Sequence, residues 1–408
     1  MALEEFTPDD SIFEDEEVLR DSHKPEQLLE RDDQLSSYQA ALKPVIKGSR
    51  PKNIFLVGQT GVGKTVGTQL IRDRFNKDQQ KIDDLNTEFV YLNCKKLSNS
   101  YRVAANLVNK FRDPDDKITT TGYPRDMIYR MLYQELRERD ATHILLILDE
   151  VDSIGDDDEI LYELPRCNDN GDVPPEETYV GVIGISNDFT FRDGLSARVK
   201  DTLCEEEIHF PPYNADELSN ILSHRAEKAF KDGVVGDAVT PLCGALAGQE
   251  SGSARYALNL LYKAGDLARS RGDETVTEDH VRDAEPLVKE NKIQRELEQL
   301  PNQSHLTLAA MVRLYVNGDV PTRSQTVYET YKALAEAVDA DVKTQRTIRD
   351  RLGELSLKGF LTVTRENRGE YGGRFDLYEF GDVDVEMIQE VLLDTDRFDH
   401  DLLGVSTE

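Results

Sequence analysis

The chain of 408 residues has no tryptophan, few cysteines and no long apolar run. Its four cysteines are too scattered for the paired spacing of a zinc site or a redox motif. They are Cys94, Cys167, Cys204 and Cys243. A membrane-spanning helix needs about 20 apolar residues, and runs such as 143–148 are far shorter. The N-terminus also lacks the basic and apolar stretches of a secretory signal, so we expect a cytoplasmic protein without a membrane partner.

Positive charge is scarce as well. The chain has 79 acidic residues against 49 basic ones, for a formal net charge of −30. So acidic a chain repels itself at low ionic strength, and salt screens that repulsion. We interpret the excess as an adaptation to a salty cytosol, and therefore to a halophilic host. The competing interpretation, an acidic protein that avoids nucleic acids, depends on where the positive charges lie.

Apolar periodicity divides the chain into several parts. Four short apolar runs alternate with helical patterns in the first half, which predicts a mostly parallel sheet covered on both faces. These runs are 54–57, 89–92, 144–148 and 179–185. The predicted parts are an acidic, loosely held arm (1–25), a nucleotide-binding α/β domain (26–210), a helical lid (211–290), a linker (291–304), a winged helix-turn-helix (305–395) and a tail (396–408).

A phosphate-binding loop follows the first predicted strand. Residues 58–65 read Gly-Gln-Thr-Gly-Val-Gly-Lys-Thr and lead into a helical pattern. The glycines allow backbone N–H groups to turn toward phosphates at the positive end of the helix dipole. We assign Lys64 to the β- and γ-phosphates and Thr65 to Mg²⁺. All eight residues are assigned to nucleotide binding: Gly58, Gln59, Thr60, Gly61, Val62, Gly63, Lys64 and Thr65.

An acidic pair ends the strand predicted at 144–148. Asp149 is placed to hold Mg²⁺, and Glu150 to orient or deprotonate the water that attacks the γ-phosphate. Acidic residues commonly end strands, so this pattern alone is weak. Its combination with a phosphate loop indicates nucleotide hydrolysis.

Three further polar residues are candidates for the same reaction. Asn187 follows the strand at 179–185 and would bond the attacking water, unless it is simply a turn former. Arg198 is either an arginine finger that acts on a neighbouring copy or a solvated surface arginine. Arg255, in the predicted lid, would reach the γ-phosphate across the crevice, or else form an ion pair on a helix surface.

Taken in order, these motifs resemble those of the AAA+ ATPases: a phosphate loop, an Asp-Glu strand end, a strand-terminal Asn, a downstream Arg and a Gly-x-Ala-Arg helix. With a C-terminal winged helix, the chain is similar to the archaeal origin-recognition initiators, relatives of the eukaryotic origin recognition complex and its helicase-loading partner. The likeness includes Arg-Asp-Asp-Gln at 31–34, Leu-Asn-Cys at 92–94 and His-Phe-Pro-Pro-Tyr at 209–213. Gln59 departs from it, since many members carry proline there.

The resemblance implies an α/β P-loop AAA+ domain with a helical lid, followed by a C-terminal winged helix-turn-helix domain. It implies a slow, switch-type ATPase that binds ATP or ADP with Mg²⁺, marks replication origins and helps to load the minichromosome maintenance helicase, with further initiator copies on the DNA. We also assign Tyr213 and Arg225 to nucleotide binding. A helix near 121–125 is implied to touch DNA, although its apolar residues fit a plain core equally well.

The scarce positive charge concentrates in the predicted winged helix. Between Lys343 and Arg374 there are eight basic residues against four acidic ones. Residues 344–352 are predicted to form the recognition helix, and the wing follows. The side chains predicted to contact double-stranded DNA are Gln345, Arg346, Arg349, Arg368 and Arg374. The alternative is that these arginines balance carboxylates on a solvated face.

Two other functions stay open. An ATPase that regulates transcription or acts as a signalling switch would carry the same modules with promoter targets. A protein-remodelling ATPase would use its winged helix to bind protein. An initiator would be associated with the nucleoid.

Overall fold

The computed structural model describes residues 11–155, 157–203, 205–367, 374–381, 383–395 and 397–405. The chain divides into two compact units, Met1–Ala284 and Glu285–Glu408. Within the described ranges, no helix combines the length and the apolar character that crossing a bilayer requires.

The first unit is built on a five-stranded sheet. Its elements are α1 (Asp32–Ile46), β1 (Ile54–Val57), α2 (Lys64–Gln79), β2 (Thr87–Asn93), α3 (Ser100–Phe111), α4 (Arg125–Arg137), β3 (His143–Asp149), α5 (Glu159–Arg166), β4 (Tyr179–Ser186), α6 (Phe191–Gly194), α7 (Ala197–Leu203) and β5 (Glu206–His209). The strand order is β2-β3-β4-β1-β5, and every neighbouring pair is parallel. The first four strands match the predicted apolar runs. The sequence pattern missed β5 because Ile208 is its single fully buried residue.

Strand register brings the predicted site residues to one edge of the sheet. Val57, the last residue of β1, pairs with Ser186 of β4, and Asp149 of β3 pairs with Ile185. The central strands are buried along their whole length, since helices cover both faces. The phosphate loop, the Asp-Glu pair and Asn187 therefore emerge together at the carboxyl ends of three adjacent strands.

The lid consists of helices that follow β5. They are α8 (Ala215–Ala229), α9 (Val239–Glu250), α10 (Ala254–Arg271) and α11 (Glu278–Glu298). Asn214 and Glu217 begin α8 with a reciprocal capping box, in which each side chain accepts a hydrogen bond from the other residue's backbone N–H. Helix α11 continues without a break into the predicted linker, and Leu297 and Leu300 lie in the core of the second unit.

The acidic N-terminal segment packs more firmly than its composition suggests. Ile12, Phe13, Val18 and Leu19 are all buried. Phe13 stacks on Phe230 at the end of α8, with ring centroids 4.8 Å apart. The few apolar residues of this segment form no recognisable pattern in the sequence, because acidic residues surround them. The described part of the arm is thus a component of the lid's core and not a loose extension.

The second unit is a helical core with a small antiparallel sheet. Its elements are α12 (Asn302–Val316), β6 (Thr322–Arg323), α13 (Ser324–Ala337), α14 (Gln345–Leu357), β7 (Leu361–Asn367), β8 (Arg374–Phe380), α15 (Val385–Leu393) and α16 (His400–Leu403). The strands lie in the order β6-β8-β7. Helix α14 is capped by Thr344 and buries Ile348, Leu352 and Leu355, as its periodicity predicts. Helices followed by a hairpin form the expected winged helix.

The Phe13 contact predicts a measurable contribution to stability. Replacing Phe13 by alanine is expected to lower the free energy of unfolding by about 3 kcal/mol, since a buried aromatic side chain loses both its burial and its packing contacts. Phe189→Ala is the matched control, because Phe189 is 47% exposed and its removal should change stability by less than about 0.5 kcal/mol. Urea unfolding in molar salt compares the two variants. Equal losses would contradict a packed arm.

Candidate functional site

A cleft opens where the carboxyl ends of β1, β3 and β4 face the lid. Most residues that the sequence assigned to the nucleotide line it. These are Thr60, Gly61, Gly63, Lys64, Thr65, Asp149, Glu150, Asn187, Tyr213, Arg225 and Arg255. The cleft therefore gathers side chains from the phosphate loop, from two strand ends and from three parts of the lid.

The phosphate loop depends on its glycines for shape. Gly61 and Gly63 have φ angles of +80° and +98°, a region that side chains disfavour. At Gly58 the requirement is space, because a Cβ atom would lie 2.3 Å from the carbonyl oxygen of Phe210. Helix α2 begins at Lys64, so the loop's free N–H groups lie at the positive end of its dipole.

Lys64 is held against the loop by its own carbonyl groups. The side chain is 4% exposed, and its Nζ donates to the oxygens of Gly58 at 2.5 Å and Gln59 at 2.8 Å. Burial lowers the pKa of Lys64 to about 8, although the nearby Asp149 acts in the opposite direction. An anionic phosphate in the cleft would supply a negative charge to pair with the buried Lys64 ammonium, and would favour its charged form.

Oxygen ligands suited to Mg²⁺ lie beside Lys64. Thr65 Oγ1 donates to Asp149 Oδ2 at 2.9 Å, and the Tyr91 hydroxyl donates to the same oxygen at 2.7 Å. Among the described residues, no three or more His, Cys, Asp or Glu side chains cluster as a metal site. One carboxylate and one hydroxyl fit Mg²⁺, which keeps several waters and takes its other ligands from phosphates.

Glu150 and Asn187, the next two candidates, follow the ends of β3 and β4, and the backbone of each is held in a defined conformation. Glu150 adopts a left-handed conformation with φ of +54°, which is strained for this residue type. The Asn93 side chain donates to its Oε1 at 3.4 Å. The N–H of Asn187 is bonded to Asp152 Oδ1 at 3.0 Å. Both residues line the cleft near Asp149.

The two candidate arginines differ in position. Arg255, in the first turn of α10, donates from Nη1 to Thr60 Oγ1 at 3.2 Å, and its Nε lies 3.6 Å from Asp21 Oδ1. It borders the cleft directly. Arg198 is exposed on α7, stacks over the ring of Tyr162 at 4.7 Å and does not line the cleft. Both predicted alternatives for Arg198 place it outside its own chain's site.

Three residues of the phosphate loop do not line the cleft at all. Gly58 packs beneath Phe210, and Val62 is fully buried. The side-chain amide of Gln59 donates to the carbonyl oxygen of Ser251, in the lid. These residues shape the loop and join it to its neighbours.

The N-terminal segment forms a wall of the cleft that its sequence pattern does not predict. Arg20, Asp21 and His23 line it, as do Leu28 and Leu29. The only indication in the sequence is that Leu28 and Leu29 form an apolar pair in an otherwise polar stretch, which suggests that they are packed against another segment. Burial, followed by the charge of Arg225, lowers the pKa of His23.

Arg31 begins the stretch 31–34 that resembles the family. In the structure its side chain is buried and joins the phosphate loop to the entry of the lid. It is 2% exposed and donates to the carbonyl oxygens of Val62 at 3.2 Å and Pro211 at 2.6 Å. Its guanidinium lies 3.4 Å from the centre of the Tyr213 ring. Burial lowers the pKa of Arg31 and raises that of Tyr213 to about 12.

Arg225 has a similar anchoring contact. Its Nη1 donates to the carbonyl oxygen of Val18 at 3.1 Å, while the side chain borders the cleft. Burial lowers the pKa of this guanidinium as well. The lid is thereby tied to the N-terminal segment beside the cleft.

In the second unit, the predicted DNA contacts on α14 are available to a partner. Gln345, Arg346 and Arg349 are exposed. Neither arginine forms an ion pair with another described residue, whereas Arg351 pairs with Glu354 at 2.5 Å. Among the described residues, Arg346 and Arg349 therefore have no carboxylate at ion-pair distance.

The other DNA candidates are less informative. Arg374 begins β8, and Arg368 lies outside the described residues. In the first unit, helix α4 buries Ile128 and Leu132. Its Arg125 pairs with Asp157 at 2.9 Å and Glu159 at 2.5 Å. The apolar side of helix α4 is thus packed into the core of the first unit, and Arg125 is engaged by carboxylates of the same unit.

Family comparisons cover the chain in three consecutive parts. Residues 47–183 match the AAA domain family. Residues 219–286 match the Cdc6 AAA+ ATPase-type lid domain, and residues 295–391 match the C-terminal winged helix domain of CDC6. These matches confirm the predicted fold class.

Individual relatives match over almost their whole length. The chain is 53% identical to ORC1-type DNA replication protein 1 of Haloarcula marismortui, over 97% of this chain and 96% of that one. It is 40% identical to the ORC1-type DNA replication protein of Pyrococcus abyssi, over 88% and 85%. The Aeropyrum pernix ORC1 protein, solved in complex with DNA, superposes with a TM-score of 0.80 at 30% identity, covering 95% of this chain and 98% of that one.

The buried contacts of Arg31 predict a large effect of its removal. Arg31→Met is expected to lower the free energy of unfolding by about 3 kcal/mol, because the carbonyl oxygens of Val62 and Pro211 lose their donor while buried. Arg74→Met is the matched control, since Arg74 is largely exposed and its ion pair in the described part of the chain is with Asp78 on its own helix; that change should stay within about 0.5 kcal/mol. Denaturant unfolding tests both, and similar values would refute an anchoring role.

Proposed function

Because this chain belongs to the family of ORC1-type DNA replication proteins, with an AAA domain, a Cdc6-type lid and a winged helix, we propose that it is an ATP-dependent replication initiator that binds origin DNA. The ATPase chemistry resides in the first unit and the DNA reader in the second. The halophilic relatives agree with the salt adaptation inferred from the net charge of −30.

One observation carries the DNA-binding role. Arg346 and Arg349 are exposed on the predicted recognition helix without an ion-pair partner among the described residues, in a chain with 79 acidic residues. Their guanidinium groups can form two hydrogen bonds to a guanine edge or contact phosphates. Gln345, in the first turn of α14, has the geometry to read adenine.

Different cleft residues have different roles in ATP hydrolysis. The loop N–H groups and Lys64 bind the phosphates, and Thr65 and Asp149 would hold Mg²⁺, which would supply positive charge to stabilise the phosphates during transfer. Glu150 then orients the attacking water and accepts its proton, and the Asn187 side chain positions the same water.

The lid completes the site from the opposite side. Arg255 stabilises charge on the γ-phosphate, and Tyr213 and Arg225 fix the lid around the nucleotide. We propose slow turnover, because Arg198, the candidate arginine finger, does not line the chain's own cleft, so an isolated chain would hydrolyse ATP without its finger. A neighbouring initiator copy on DNA would supply it, which suits a switch better than a fast catalyst.

The partners follow from this role. Double-stranded origin DNA is the first, and the minichromosome maintenance helicase, which the initiator helps to load, is the second. The protein would act at the nucleoid. A transcription regulator with the same modules is the alternative, and footprinting with ATP and ADP decides between them: protection confined to promoters would favour the regulator, and no selective protection would reject both.

The roles in the cleft predict different effects for two substitutions. Glu150→Gln should leave ATP affinity unchanged and slow hydrolysis at least about 100-fold, because the water loses its general base. Lys64→Ala should abolish nucleotide binding. Fluorescent-nucleotide titration and phosphate release measure the two properties separately. Wild-type turnover by Glu150→Gln would remove Glu150 from the mechanism.

The recognition helix predicts a selective loss of DNA affinity. Arg349→Ala should weaken binding to origin DNA by about 1–3 kcal/mol, because a base-edge contact is lost, while ATP affinity stays the same. Arg351→Ala on the same helix is the control, since Arg351 is engaged by Glu354. Fluorescence anisotropy at fixed salt measures both. An unchanged affinity for Arg349→Ala would return that residue to a solvated face.

A further inference from the structure

The phosphate loop touches the lid directly through residues 251–254, called here the lid turn, which lead from the end of α9 into the first residue of α10. The N–H of Ala254 donates to the carbonyl oxygen of Gly61 at 3.0 Å. A Cβ atom on Gly61 would lie 2.0 Å from Ser253 Oγ. The two segments are therefore packed together with no space between them.

Three consecutive loop residues each bond to this part of the lid. Gln59 donates from its side-chain amide to the Ser251 carbonyl oxygen, Thr60 accepts from Arg255, and Gly61 accepts from Ala254. The lid turn is itself fixed, because the N–H of Tyr213 donates to the carbonyl oxygen of Gly252 at 2.9 Å. Movement of the lid away from the loop must break this set of bonds.

A bound nucleotide would affect these three bonds differently. Phosphates take the loop's N–H groups and Lys64, which leaves the Gly61 carbonyl and the Gln59 amide free to keep their lid partners. The Thr60 bond is the exception, because Arg255 would turn toward a γ-phosphate. Two of the three bonds are thus compatible with both ATP and ADP.

Gln59 supplies the only one of these bonds that is made by a loop side chain acting as donor. Its side chain does not line the cleft, because the amide is bonded to the Ser251 carbonyl oxygen instead. Its side chain is half-buried, and the acceptor is a main-chain oxygen. A residue without a donor at this position would leave the Ser251 carbonyl facing the loop without that partner.

We propose that Gln59 is a positioning residue that holds the lid onto the phosphate loop and so retains bound nucleotide, whether ATP or ADP. This inference rests on the nucleotide site proposed above. Loss of one neutral hydrogen bond from the closed lid is expected to speed release about three- to tenfold. Association should change much less than release, since the loss of a contact acts mostly on the dissociation rate.

Release of fluorescent ADP and of a fluorescent non-hydrolysable ATP analogue, chased with unlabelled nucleotide, tests the proposal in the full chain. Gln59→Met keeps the side-chain length but cannot donate, and it should speed release of both nucleotides. Gln59→Lys retains a donor and should restore slow release. Ser251→Ala keeps the main-chain acceptor and should match the wild type within about twofold. Hydrogen exchange of the Ala254 amide should rise in Gln59→Met alone.

Wild-type release rates in Gln59→Met would overturn the inference, as would an equal acceleration in Ser251→Ala. Faster release of the ATP analogue alone would also reject it. That result is expected for loss of the Arg255 contact, because ADP has no γ-phosphate. These results are distinct from failure of the proposed site, which would appear as wild-type protein that binds nucleotide no better than Lys64→Ala.

Discussion

The buried guanidinium of Arg31 is the constraint on which the cleft depends. Among the described residues no carboxylate lies within ion-pair distance of it, and its charge is met by the carbonyl oxygens of Glu30, Val62 and Pro211 and by the Tyr213 ring. Removing an arginine from water is costly unless its donors are satisfied. These carbonyls must therefore stay in place, and they belong to the N-terminal segment, the phosphate loop and the entry to the lid. The three walls of the cleft share one anchor.

Such an anchor suits a protein adapted to salt. At molar ionic strength the Debye length falls to about 3 Å, so exposed ion pairs such as Arg74 with Asp78 contribute little. Buried hydrogen bonds to carbonyls and a cation–π contact are screened much less. The arm's packing through Phe13 and the bond from Gln59 to Ser251 are likewise independent of net charge. Geometry at the site is held by contacts that salt weakens much less than exposed ion pairs, while the acidic residues serve hydration.

The sequence predicted what is encoded locally. Strands β1 to β4, the phosphate loop and α14 each have a continuous pattern within about ten residues, and the parallel sheet then brings Asp149 and Asn187 beside Lys64. The missed features are all long-range. Arg31 and Pro211 are 180 residues apart, and Gln59 and Ser251 are 192 apart. Strand β5 has one buried side chain, Ile208, and pairs with β1, which is about 150 residues earlier in the chain. No local pattern reports a partner so distant.

The same distinction between local and global properties explains how so acidic a chain binds DNA. The net charge of −30 opposes a phosphate backbone only over distances longer than the screening length. In molar salt that opposition is removed, and so is most of the counterion-release term that drives ordinary DNA binding. What remains are contacts at hydrogen-bond distance. Arg346 and Arg349, exposed and without ion-pair partners among the described residues, are suited to such contacts. We therefore expect recognition in this protein to depend on base edges and DNA shape more than on attraction to phosphates.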